Sequence, residues 1–162
     1  MEKRIINISE VELSPRPAAM GETPPNYDAA LGFIGPLLGA KKLGYSIVKL
    51  LPGGNRAFPL HNHRVNEELF IVWEGEGEVR IGETRQPIKK GDFIACPSGD
   101  ASTAHQIVNT SDADLTYIGI STKLSPEICD YPDSGKFGVL SEDGFRFIGR
   151  AGESLGYFEG EA

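Results

Sequence analysis

Only three histidines occur in the 162-residue chain, and two of them stand one residue apart, in His61-Asn62-His63. They lie in a stretch that runs GNRAFPLHNHRVNEELFIVWEGEG from Gly54 to Gly77. Residues two apart on an extended strand point to the same face, so both imidazoles can aim at one point while Asn62 faces away. Five residues after His63, Glu68 opens an apolar, strand-like run that ends at a glycine turn. A short bend brings its carboxylate back to the same point. Two neutral imidazoles and a hard carboxylate oxygen suit a divalent transition metal: Fe, Mn, Ni, Zn or Cu.

The third histidine lies in a second patterned stretch, GDFIACPSGDASTAHQIVN, from Gly91 to Asn109. A glycine turn precedes a short strand at residues 93–96, Pro97-Ser98-Gly99 breaks it, and His105 opens another strand that reaches Asn109. Together the two stretches resemble the paired motifs of the cupin superfamily. Gly54, His61, His63, Glu68 and Gly75 fall on the first motif, and Gly91, Pro97, Gly99, His105 and Asn109 on the second. The resemblance implies one metal held by His61, His63, Glu68 and His105. Two departures from the family pattern are visible. The spacer from Gly54 to His61 is one residue longer than the common form, and five residues separate Gly99 from His105 where two are usual. The second departure is expected to enlarge a loop near the metal without removing His105 from it. The resemblance covers about residues 43–122. More loosely, the whole chain resembles small single-domain microbial cupins labelled sugar-phosphate isomerases.

A net charge of −7, with basic residues scattered along the chain, argues against nucleic acid or an anionic membrane as the main partner. The N-terminus lacks a long apolar run after its charges, and the longest uncharged run is too short to span a bilayer. Cys96 and Cys129 read as free thiols of a cytoplasmic protein.

From residue 43 to residue 122 short apolar runs alternate with turn residues, without a long amphipathic helix. Such a pattern indicates an all-β barrel or sandwich. The cupin resemblance selects a jelly-roll barrel of two antiparallel sheets. One domain is expected throughout: an arm over residues 1–42, the barrel core with both motifs over 43–122, and a C-terminal extension over 123–162. Residues 5–8 are read as a short edge strand. The prolines between residues 14 and 26 exclude a regular helix or a central strand there. The apolar, glycine-punctuated run AALGFIGPLLGA, residues 29–40, is expected to cover sheet surface or a second subunit, or to close the pocket as a lid with Phe33 or Ile34 facing ligand. A homodimer follows from the need to cover it.

Three imidazoles and one carboxylate leave an octahedral metal with about two open positions, which allows isomerase, lyase, decarboxylase or dioxygenase chemistry on a small oxygen-rich metabolite. Glu68 is the candidate base if substrate displaces it. Arg56 is the candidate partner for a substrate carboxylate or phosphate, with Tyr45 supplying a phenol. Asn109 is read as capping the loop that leaves the His105 strand. The rival reading is a non-catalytic module that uses its metal to hold a small ligand.

Overall fold

Alternation along the strands decides which residues meet in the interior. In the run LGYSIVKL (β3, Leu43–Leu50), Val48 and Leu50 are buried while Lys49 between them is half-exposed. ELFIVWE (β5, Glu68–Glu74) turns Phe70 and Val72 inward, and LTYIGIST (β10, Leu115–Thr122) does the same with Leu115 and Tyr117. These three pair side by side, with β10 at the centre, and Phe93–Cys96 (β8) adds to β5. On the other side of β3 lie Ala29–Phe33 (β2) and the short Ser14–Pro15 (β1), giving an antiparallel sheet in the order β1-β2-β3-β10-β5-β8.

The facing layer comes in two pieces. Glu76–Ile81 (β6) pairs with Thr84–Lys89 (β7) and with His105–Val108 (β9). Asn62–His63 (β4) pairs with Glu127–Tyr131 (β11), which continues through Lys136–Leu140 (β12) to Arg146–Gly149 (β13). Antiparallel bridges at His61↔His105 and Asn55↔Asn109 join the two pieces. The result is the expected jelly-roll of two antiparallel layers. Val48, Leu50, Val72, Val79, Leu115 and Tyr117 form its core, with Phe70 edge-on to Tyr117 at 5.5 Å. The computed structural model describes residues 4–15 and 23–161 of the chain. No helix among them is long and apolar enough to cross a membrane.

Three local readings differ from expectation. Residues 5–8 form no edge strand: Ile8–Glu10 is a 3-10 turn closed by a capping box, in which Asn7 accepts from the Ser9 amide and Glu10 from the Asn7 amide. The polar Asn7 and Glu10 override the isoleucines, and Ile5 is left exposed. The run at 29–33 is a strand of the large sheet, with Ala29 and Leu31 in the core. Gly32 does not break it, because a Cβ there would run into Val11 and Leu13, which lie across the sheet at that point. The glycine marks a close approach. The single-turn helix α1 (Ile34–Leu37) then ends the segment, with Phe33 and Leu37 exposed. Lastly, the C-terminal extension forms a three-stranded meander within the second layer, and its first strand, β11, lies outside the 43–122 stretch where the short-strand pattern was read.

Asn109 is fully buried and acts as a cap. Its Nδ2 donates to the carbonyls of Leu50 and Ala113, and its Oδ1 accepts from the amide and hydroxyl of Ser111. Asn109→Ala removes a buried donor from the Leu50 carbonyl and the acceptor that holds Ser111, and is expected to cost about 1–3 kcal/mol in chemical denaturation. Metal content should not change, because the cap lies at the opposite end of β9 from His105.

Candidate metal centre

His61 and His63 come from one segment and His105 from the neighbouring β9 of the same layer. The bridge between His61 and His105 carries both backbone hydrogen bonds, at 3.3 and 2.8 Å. His63 lies opposite Cys129 in the β4–β11 pair. Asn62, between the two histidines, is fully buried on the other face, where its Nδ2 donates to Gly99 O and Asp130 Oδ2. Glu68 enters from the opposing layer as the first residue of β5, so the site joins the two sheets.

All three imidazoles converge on one carboxylate oxygen. Glu68 Oε2 lies 2.9 Å from His105 Nε2, 3.4 Å from His63 Nε2 and 3.6 Å from His61 Nε2. The outer nitrogens are engaged elsewhere. His61 Nδ1 is 2.9 Å from Pro59 O and His105 Nδ1 is 3.2 Å from Thr103 O. A carbonyl only accepts, so these contacts place an N–H on each Nδ1 and direct each Nε2 at Glu68. The longer spacer before His105 builds one of these anchors. Asp100 caps the 3-10 turn Ala101–Thr103, whose last carbonyl receives the His105 ring. The expected loop is therefore present, and it orients the histidine.

Burial alone would raise the Glu68 carboxyl, but the close approach of His105, His61 and His63 outweighs it and holds the group far below the usual carboxylate range. A carboxylate that acidic remains ionised at neutral pH and is a weak proton acceptor, which suits a ligand better than a base. Burial pushes the His63 imidazole down, yet hydrogen bonding to Cys129 and the nearby Glu68 carboxylate raise it to about 10. Cys96, opposite Glu68 across β5–β8, is pushed up to about 12 by burial and by the Glu68 charge, so its thiol stays protonated. Both cysteines are free and buried.

The donor set fits a divalent metal. Ligand atoms of His61, Glu68 and His105 all lie within 4.8 Å of one another, a triad able to hold an ion. His63 Nε2 is buried without a hydrogen-bond partner beside it. A cation at this point would give that nitrogen a partner and balance the buried carboxylate.

The other candidates stand elsewhere. Tyr45 shares its pleat face with Ile47 and Lys49, opposite the core-facing Val48 and Leu50. Arg56 lies with its guanidinium 5.0 Å from the Tyr27 ring centroid, beside the Asn55↔Asn109 bridge. That bridge is four β9 residues from His105, about 13 Å along a strand. Three neighbours of the centre escaped the sequence reading: Glu127, Cys129 and Tyr131, all on β11. Glu127 Oε2 and Cys129 Sγ lie 3.4 and 3.3 Å from His63 Nδ1, and the Tyr131 ring stacks at 6.3 Å from His61. The available signal was alternation, since Glu127, Cys129 and Tyr131 occupy every second position.

Residues 46–121 match the family model of the cupin domain. The chain carries a cupin domain. Its fold is similar to a crystal structure of a sugar phosphate isomerase of the cupin superfamily from Silicibacter pomeroyi. The TM-score is 0.76 at 25% identity, over 94% of this chain and 97% of that one. In sequence, this cupin is 32% identical over 76 residues to an oxalate-binding protein from Thermotoga maritima, covering 47% of this chain and 59% of that protein. An uncharacterised protein from Methanocaldococcus jannaschii is 29% identical over 83 residues, covering 51% and 56%. The chain thus spans little more than half the length of the sequence relatives it matches.

Metal binding at this centre must displace the proton that His63 holds up to about 10. Apparent affinity should therefore rise with pH, about tenfold per unit between pH 6.5 and 8.5 for one displaced proton. Chelator-competition titrations with zinc or manganese measure the slope. His105→Ala should abolish stoichiometric binding at every pH in the same assay.

Proposed function

We propose that this cupin binds one divalent metal through His61, His63, Glu68 and His105 and acts on a small oxygen-rich metabolite: a sugar, sugar phosphate, keto acid or enol. The observation that carries the proposal is the convergence of three imidazole Nε2 atoms on Glu68 Oε2, with the Nδ1 atoms engaged outside. A bound divalent ion supplies Lewis acidity to an oxygen of the substrate. The chain supplies the walls. Phe70 lies 5.6 Å from the His105 ring and Phe58 lies 6.1 Å from His61, so one side of the centre is apolar and limits water. Tyr131 covers His61 from the C-terminal meander.

An anionic substrate group is supported by the charges on that meander. Lys136 is the cross-strand partner of Tyr131, with its Nζ 5.7 Å from the Tyr131 ring centroid. Arg146 pairs with Leu140, which pairs with Glu127, so it occupies the same face of the sheet. We assign these two cations, rather than Arg56, to a substrate phosphate or carboxylate. Isomerisation is the reaction favoured, in line with the sugar phosphate isomerase whose fold this chain shares. The second reading, a ligand-binding module, is favoured by the resemblance to the oxalate-binding protein.

Metal-loaded protein incubated with aldose and ketose phosphates, keto acids and oxalate, and followed by NMR, separates the two. Conversion of a substrate, with KM raised about tenfold or more in Lys136→Ala and kcat little changed, supports the enzyme. Thermal stabilisation by oxalate or a keto acid without product supports the binding module.

We further propose a cytoplasmic homodimer built on the outer face of the large sheet. Ile118, Ile71 and Phe93 stand in one cross-strand row there, beside the buried Ile47, and Phe93 is 70% exposed. A patch of this kind is characteristic of an interface. Light scattering at micromolar concentration should give twice the mass of the chain, and Phe93→Glu should give the monomer.

A further inference from the structure

We propose that Glu127 is a positioning residue of the metal centre, setting both the orientation of His63 and the turn that returns the chain from His63 to Glu68. The inference rests on the metal-binding reading above. Glu127 is buried at 5% exposure, although it carries a carboxylate. Its Oε1 accepts from the amides of Arg64 and Val65, each at 3.2 Å, and of Ile128 at 2.8 Å. Its Oε2 accepts from the Asn66 amide at 2.8 Å and from Asn66 Nδ2, and lies 3.4 Å from His63 Nδ1. Three consecutive amides thus wrap one carboxylate, forming an anion-binding nest made by the protein for its own side chain.

The wrapped segment, residues 64–66, links the metal ligand His63 in one layer to the metal ligand Glu68 in the other. Asn66 extends the clamp, since its Oδ1 accepts from Thr122 Oγ1 and the Leu124 amide. His63 also differs from the other two histidines. His61 and His105 are oriented by backbone carbonyls close to them in the chain, which no side-chain substitution removes. The outer nitrogen of His63 meets only side chains among its described contacts, Glu127 and Cys129, both on β11. A carboxylate facing the outer N–H fixes the ring and strengthens the inner nitrogen as a donor, and loss of such partners typically weakens metal binding about 10- to 100-fold.

The test compares cobalt(II) binding by wild type, Glu127→Gln, Glu127→Asp and Cys129→Ser, read as affinity by chelator competition and as the visible ligand-field spectrum. Glu127→Gln should bind about 10- to 100-fold more weakly with a shifted spectrum. Glu127→Asp, which keeps the charge, should recover part of that loss, and Cys129→Ser should change affinity less than about threefold. A purely structural Glu127 predicts a lower Tm in Glu127→Gln with unchanged affinity and spectrum, which overturns the proposal. A large effect of Cys129→Ser with none from Glu127→Gln also overturns it, by making the thiol the partner. If the Glu127 variants do not fold, the His63 Nδ1–H resonance of the zinc-loaded wild type decides. A downfield, slowly exchanging proton supports a carboxylate partner, and its absence refutes one. Wild type that binds no cobalt at all refutes the metal centre itself, a separate outcome from wild-type binding that Glu127→Gln leaves intact.

Discussion

A buried carboxylate surrounded by three imidazoles is the arrangement on which the rest of this structure depends. Glu68 pays for its burial through the three nitrogens that face it, and without them the desolvation of an ionised group at this depth would be unfavourable. The two sheets meet at this contact, because the histidines belong to one layer and the glutamate to the other. Any change in how the layers stack therefore changes the distances within the centre. A site of this kind needs support from both sides, and the second side is the C-terminal meander.

The strand alternation and the two motifs were legible in the sequence because they depend on local geometry. His61 and His63 share a face through the two-residue period of a strand, and the turn residues from Pro97 to Gly99 announce the return to His105. Asn109 was legible as a cap for the same reason. Glu127, Cys129 and Tyr131 were not, because what matters about them is long-range pairing. They meet β4 across more than 60 positions of chain, and the run EICDY turns Glu127, Cys129 and Tyr131 toward the site while Ile128 and Asp130 face away. A pattern that expects apolar residues inward reads such a strand with the wrong face. Gly32 misled in a different way: its role is set by Val11 and Leu13 crossing above it.

Tyr45 and Arg56 show where reasoning by proximity in sequence stops. Both lie within a few residues of motif positions, yet the pleat sends Tyr45 to the face opposite the core, and the extended segment before His61 leaves Arg56 beside Tyr27. Lys136 and Arg146 are far from the motifs in sequence, yet sheet register brings them close to Tyr131 or Glu127. The centre is thus built from two parts of the chain: the motifs supply the converging donors, and the meander places Glu127, Cys129 and Tyr131 against His63 and His61.

The cross-strand rows of the large sheet explain why the site sits at one end of the barrel. Val48, Tyr117 and Val72 form one inward row, all buried and tightly packed. The next is Ser46, Gly119, Phe70 and Ile94, and the one after is Gly44, Ser121, Glu68 and Cys96. Side chains in the centre of the sheet shrink and become polar from row to row. A Cβ on Gly119 would stand only 3.2 Å from Ser46 Oγ and 3.4 Å from the Phe70 ring, so glycine keeps that floor open. Large apolar residues close the lower end against water, where burial stabilises the fold most. Small residues at the upper end leave space that Glu68 and the imidazoles enter from either side. Stability and the site are therefore built on the same three strands, at different heights along them.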